Sequence, residues 1–114
     1  MRFLMILSDV EMEQLRPGDP GFAERMAAYG VFTEHARKEG VLIESGKLQP
    51  TTEARTVRVR RGKVLITDGP FAETKEQFGG FYLLECRDLA HALELAALIP
   101  TAEHGCVEVR PLVG

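Results

Sequence analysis

With 114 residues, 45% of them hydrophobic and 27% charged, the chain is long enough for one packed domain and too short for two of ordinary size, and it holds too much core-forming material for disorder. Its 14 Lys and Arg against 17 Asp and Glu leave a net charge of −3, so the chain as a whole carries no electrostatic footprint for nucleic acid. No run approaches the ~20 apolar residues of a bilayer span; Phe3–Leu7 lacks a cleavage pattern, and two cysteines, Cys86 and Cys106, make no disulfide framework, so a cytoplasmic protein with reduced thiols is expected.

Arg2–Ser8 is an apolar run with Phe3, Met5 and Leu7 on one face and Leu4 and Ile6 on the other, the pattern of a strand covered on both sides. Asp9–Gly18 reads as a loop. Asp19 is expected to cap a first helix with Pro20 at its first position, carrying Phe22, Met26, Tyr29, Thr33 and Ala36 on one stripe and ending at Gly40. Gly30 within it costs roughly 1 kcal/mol relative to Ala unless something packs close there. Val41–Leu48 resumes as a strand, with Val41 and Ile43 opposed to Leu42, Glu44 and Leu48. Arg55–Arg60 alternates, placing Val57 and Val59 inward and Arg58 and Arg60 outward, and Arg61–Gly62 turns it into Lys63–Thr67 as a hairpin.

Asp68–Gly69–Pro70 breaks the pairing, Phe71–Gln77 is a polar connector, and Gly79–Gly80 opens a strand over Phe81–Cys86 that is apolar on both faces. Asp88 caps a second helix with Leu89, Ala92, Leu93 and Ala96, ending before Pro100, and Cys106–Leu112 is the last strand, with Val107 and Val109 opposed to Glu108 and Arg110. The order β-α-β, hairpin, β-α-β is the split βαβ pattern of a ferredoxin-like α+β fold with an antiparallel sheet, a single domain over residues 1–114. Both helices then cover one face of the sheet, and the two doubly apolar strands lie in its middle. The helix-free face would expose Leu4, Ile6 and either Phe81 and Leu83 or Tyr82 and Leu84, a patch that a second copy would cover in a homodimer.

Asp68–Gly69–Pro70–Phe71, continued by Ala72–Gln77 and Gly79–Gly80–Phe81, resembles the signature of the DGPF branch of the YCII-related proteins, and the likeness extends through Met26–Leu42, Leu48–Pro50 and Val107–Leu112. The resemblance implies a ferredoxin-like domain that pairs into a dimeric α/β barrel, in a bacterial family some of whose members are linked to sigma factors of the extracytoplasmic-function type. It also implies, for many members, a histidine in the first helix and an aspartate after the second. Here those positions fall on Tyr29 and near Ile99–Pro100, so that pair is absent and its chemistry is not carried over.

The residues themselves offer a short set of candidates for a pocket: Tyr29, the motif residues Asp68, Gly69, Pro70, Phe71, Glu73 and Lys75, then His104, Glu108 and Arg110. A turn role for Asp68 weighs first, its carboxylate accepting backbone N–H groups across Gly69–Pro70. His35 and His91 read as solvent-facing, while His104 is the histidine best placed to enter a barrel mouth. Glu108 and Arg110 share one side of the last strand, as an exposed ion pair or as polar groups of a barrel interior. No pair of residues has metal-ligand spacing, and no cofactor loop is present, so neither metal nor cofactor is expected. Five cations on the hairpin, Arg55, Arg58, Arg60, Arg61 and Lys63, suit a solvated surface or an acidic partner better than direct nucleic-acid binding. Two readings stay open: a homodimeric small-molecule protein, enzymatic or not, and a regulatory module acting with a sigma factor.

Overall fold

The computed structural model describes residues 1–11 and 15–114; positions 12–14 of the expected Asp9–Gly18 loop lie outside the described residues. Among the described residues, six strands and three α-helices follow one another, with a 3-10 turn at Thr51–Glu53 between β2 and β3: β1 (Arg2–Val10), α1 (Phe22–Lys38), β2 (Leu42–Lys47), β3 (Arg55–Arg60), β4 (Lys63–Asp68), β5 (Glu76–Glu85), α2 (Leu89–Ala96), α3 (Thr101–His104) and β6 (Cys106–Pro111). Strands β2, β5, β1 and β6 form an antiparallel sheet in that order, so β1 and β5 are central, and among the described residues β3 pairs only with β4. This is the antiparallel α+β arrangement of the ferredoxin-like class.

Alternation along the central strands decides which side chains meet the helices. Phe3, Met5 and Leu7 of β1, with Tyr82 and Leu84 of β5, are buried against Phe32 and Ala36 of α1 and Ala92, Leu95 and Ala96 of α2. Their neighbours Leu4, Ile6, Phe81 and Leu83 therefore stand on the opposite, helix-free face, with Leu4 opposite Leu83 and Ile6 opposite Phe81. Of the two sets left open by the sequence, it is Phe81 and Leu83 that occupy this face. Glu108 and Arg110 stand there too, opposite Ile6 and Leu4, and pair with each other in solvent.

Several local expectations are corrected. Helix α1 begins at Phe22 after a left-handed Gly21, because the Asp19 carboxylate is engaged by the Arg16 backbone N–H at 2.7 Å in the preceding turn. Phe32 joins Ala36 as a buried residue of its inner face. Strand β5 starts five residues early, at Glu76, since a bulge opposite Leu7 and Ser8 lets Glu76–Gly80 continue the ladder with β1. A second irregularity between Leu42 and Glu44 breaks the alternation of β2, so Val41 is buried while Ile43 is 40% exposed. Asp88 does cap α2, accepting the His91 N–H at 2.8 Å, but the buried stripe is His91, Ala92, Leu95 and Ala96, and Leu89 and Leu93 face water. His91 is thus a core residue: its Nδ1 accepts the Arg87 N–H at 3.1 Å.

The hairpin departs most from expectation. Val57 and Val59, read as inward, are 60% and 58% exposed, because β3 and β4 stand away from the four-stranded sheet and leave these residues no core to enter. Its turn follows the expected chemistry, with Arg61 and Gly62 both at positive φ, 53° and 74°. The two thiols also part company. Cys86 is buried and Cys106 exposed, and loss of hydration raises both thiol pKa values above the ordinary range. In the native protein at neutral pH, Ellman's reagent is expected to titrate Cys106 readily and Cys86 only after denaturant is added.

Candidate functional site

Between the helical face of the sheet and α1 lies a cavity of about 270 Å³. Its walls come from the ends of several elements, which is why no single stretch of sequence announces it. Leu7 and Asp9 descend from β1, Arg25, Met26 and Tyr29 from α1, Ser45 and Lys47 from β2, Tyr82 from β5, and Thr101 and His104 from α3. The lining is mainly apolar, with a few polar groups converging on it, as in small-molecule sites generally.

Two polar pairs organise the interior. His104 Nε2 lies 3.0 Å from Asp9 Oδ2, with the side chains 27% and 14% exposed. The Tyr29 hydroxyl meets the Thr101 hydroxyl, and Thr33 Oγ1 links the Tyr29 carbonyl at 2.9 Å to the Tyr82 hydroxyl at 3.0 Å. Short helix α3, which the sequence did not suggest, presents Thr101 and His104 one turn apart on the same side, since residues three apart are neighbours on a helix. Gly105 then lets the chain pass against β1: a Cβ there would lie 2.2 Å from the Ser8 carbonyl oxygen and 2.6 Å from Asp9 Cβ. That close approach is what brings His104 to Asp9.

Asp9, Arg25, Lys47 and Thr101 are cavity residues outside the set offered by the sequence, and Asp9 is the one whose signal was there to read. It stands at the end of an apolar run and was assigned to the following loop, whereas the strand continues through Val10 and keeps Asp9 on the same face as Leu7. A strict period-two extension of Phe3, Met5 and Leu7 would have found it.

Burial, more than its hydrogen bond or nearby charges, raises the Tyr29 pKa above the ordinary phenol value, so Tyr29 is a neutral hydrogen-bonding group at physiological pH. The sign follows directly. The folded state holds the phenolic proton more tightly than the unfolded chain, so the contribution of Tyr29 to stability is intact below pH ~10 and falls as pH rises through its native value. Wild type is expected to lose more stability between pH 9 and pH 11 than Tyr29→Phe does, measured by urea denaturation, and Tyr29→Phe should remove a late-titrating tyrosinate band.

The remaining candidates lie elsewhere. Asp68 is 91% exposed and pairs with Arg55 at 3.1 Å, so its carboxylate serves the base of the hairpin instead of the backbone across the turn. Gly69 has φ 92°, a backbone conformation that suits glycine, and Phe71 is 82% exposed. Pro70, Glu73 and Lys75 border a separate concavity together with Val10, Glu11, Thr51, Thr74 and Gln77. Tyr29 and His104 therefore share one cavity, Pro70, Glu73 and Lys75 border another, and Glu108 and Arg110 lie on the helix-free face. Among the described residues, no three His, Cys, Asp or Glu side chains are grouped to hold a metal ion, and no helix is long and apolar enough to cross a membrane.

Fold and cavity together define a ferredoxin-like α+β domain with a small-molecule-sized pocket between sheet and helix. Across residues 1–114 the sequence matches the YCII-related domain, and the chain belongs to that family. It is also 47% identical, over 78 residues, to an uncharacterized protein of Rhizobium meliloti (strain 1021). That match covers 61% of this chain and 63% of the relative, so it spans somewhat less than two thirds of the relative's length.

Proposed function

We propose that this protein is a homodimer, paired through the helix-free sheet face, that binds a small organic anion in the cavity between sheet and α1 and moves a proton on it with His104 and Asp9. The observation that carries the reading is the His104–Asp9 pair, 3.0 Å apart and partly buried, at a mostly apolar cavity. A carboxylate beside one ring nitrogen orients an imidazole and selects its tautomer, leaving Nδ1 as the basic nitrogen. Arg25 and Lys47 line the same cavity and have no ion-pair partner among the described residues, which favours a ligand with a negative charge. Neutral Tyr29, held by Thr101, supplies a hydrogen-bonding group to a carbonyl or hydroxyl of that ligand.

A cavity of about 270 Å³ suits a molecule of the size of a small aryl or branched alkyl carboxylic acid. Benzoate, phenylacetate and 3-methylbutanoate at 10 mM are the probes. Binding with Kd near 0.1 mM stabilises by about 2.7 kcal/mol, which raises Tm by roughly 10 °C in a domain of this size. No shift with any small aryl or alkyl carboxylate, amine or lactone removes the small-molecule reading. The homodimer is expected to run at twice the monomer mass by light scattering, and a monomer at micromolar concentration removes that part. The five cations of the hairpin favour a second reading, a module that acts with a sigma factor; co-purification with such a factor supports it, and a clean negative at micromolar concentrations leaves it without support.

A further inference from the structure

The β3–β4 hairpin has two unlike faces. Register places Val57 opposite Ile66 and Val59 opposite Val64 on one of them, while Thr56 faces Thr67, Arg58 faces Leu65 and Arg60 faces Lys63 on the other. The four residues of the first face are 58–65% exposed, a contiguous β-branched surface of the kind that strands normally bury. The element is nonetheless closed at its base. The Arg55–Asp68 ion pair, the Gly69 N–H donating to the Ala54 carbonyl at 2.8 Å and the Thr56 hydroxyl donating to the Gly69 carbonyl at 2.8 Å close its two strands together there. The radius of gyration, 16.0 Å, reflects the projection of the hairpin, since a compact domain of ~100 residues has about 13 Å. A two-stranded hairpin with nothing against it is marginal in water, so the conservative physical answer is that something covers it.

We infer that the hairpin is an arm that lays its Val57, Val59, Val64 and Ile66 face on a second copy of this chain, at the margin of that copy's helix-free sheet. The inference rests on the homodimer proposed above and adds to it a surface that the sheet face does not include. Two observations select a second copy as the occupant. Residues 55–68 carry five positive charges and one negative, Asp68, so the rest of the chain holds nine positive and sixteen negative, a +4 arm against a −7 body. The helix-free face presents the matching chemistry: Leu4, Ile6, Phe81 and Leu83 in its middle strands, with exposed Glu44 on one edge strand and the Glu108–Arg110 ion pair on the other. A two-fold pairing would use each such contact twice, which is how a small patch can sustain a dimer.

The test is a Val59→Asp/Ile66→Asp double variant. Both positions are exposed in the single chain, so circular dichroism and thermal unfolding of the subunit should report an intact fold. Light scattering and sedimentation are expected to show a wild-type dimer and a variant whose dimer dissociation constant is at least 100-fold higher, with wild-type dissociation rising as salt is added. A photo-cross-linking residue at Val59, in a mixture of isotopically light and heavy protein, is expected to join arm peptides to mixed-mass peptides containing Leu4–Ile6 or Phe81–Leu83. A variant that dimerises as tightly as wild type, or cross-links confined to single chains of one isotope, overturns the arm while leaving the sheet-face dimer standing. A monomeric wild type overturns both.

Discussion

Replacement of Gly105 by alanine is expected to destabilise the protein by about 3 kcal/mol and to lower Tm by roughly 12 °C or more. The added Cβ would lie 2.2 Å from the Ser8 carbonyl oxygen, inside any tolerable contact, and a backbone atom cannot swing aside as a flexible side chain can. Relief requires β6 and the end of α3 to part from β1, the motion that would separate His104 from Asp9. Loss of stability should therefore come with loss of ligand binding in whatever fraction stays folded. Gly30→Ala is the matched control: it lies within α1, nothing is within 4 Å of its added methyl, and the helix should gain about 0.5–1 kcal/mol with the cavity unchanged. Urea denaturation of the two variants beside wild type reads both signs at once. A neutral Gly105→Ala would mean that β6 and β1 approach less closely than described.

Reversing the charge of Arg25 is expected to weaken binding of benzoate or the best carboxylate probe by about 10- to 100-fold, the worth of one charge-assisted hydrogen bond in a partly enclosed site. Arg25 lies one helical turn before Tyr29 on α1 and lines the same wall, so Arg25→Glu places a second negative group beside Asp9 without touching the core. Lys47→Glu should act in the same direction and more weakly, because Lys47 is exposed on an edge strand, where water and salt screen it. Calorimetric titration supplies the affinities. Equal binding by Arg25→Glu and wild type would sink the anion preference while leaving the cavity itself intact. His104→Gln is the complementary change: it keeps a hydrogen-bonding side chain near Asp9, so binding should persist while any proton transfer on the bound molecule is lost.

Much of this architecture is legible from residue order. Strong apolar periodicity identified β1, the core of β5 and the valine face of β6, and the β-α-β, hairpin, β-α-β order led to the ferredoxin-like class with β1 and β5 central. Asp88 as a cap and Arg61–Gly62 as a tight turn are local devices, decided by chemistry within four residues, so they too can be read directly. The errors fall where neighbours in space outweigh neighbours in sequence. Leu93 fits a helical stripe as well as Leu95 does, and only the docking angle of α2 buries the second. Helix α3 is four residues long and carries no amphipathic signal, and Asp9 looks like a loop residue until β5 extends far enough to pair with it.

The amino-acid order alone determined the family likeness, the class of sheet, and the existence of two apolar faces on its central strands, because alternation and turn chemistry act over short spans of chain. Tertiary structure decided which of those faces meets the helices, that His104 meets Asp9 across ninety-five positions, and that the hairpin valines stand in water. Those outcomes depend on strand register and on close backbone approach at Gly105, quantities set by the sum of many weak contacts that no local pattern encodes.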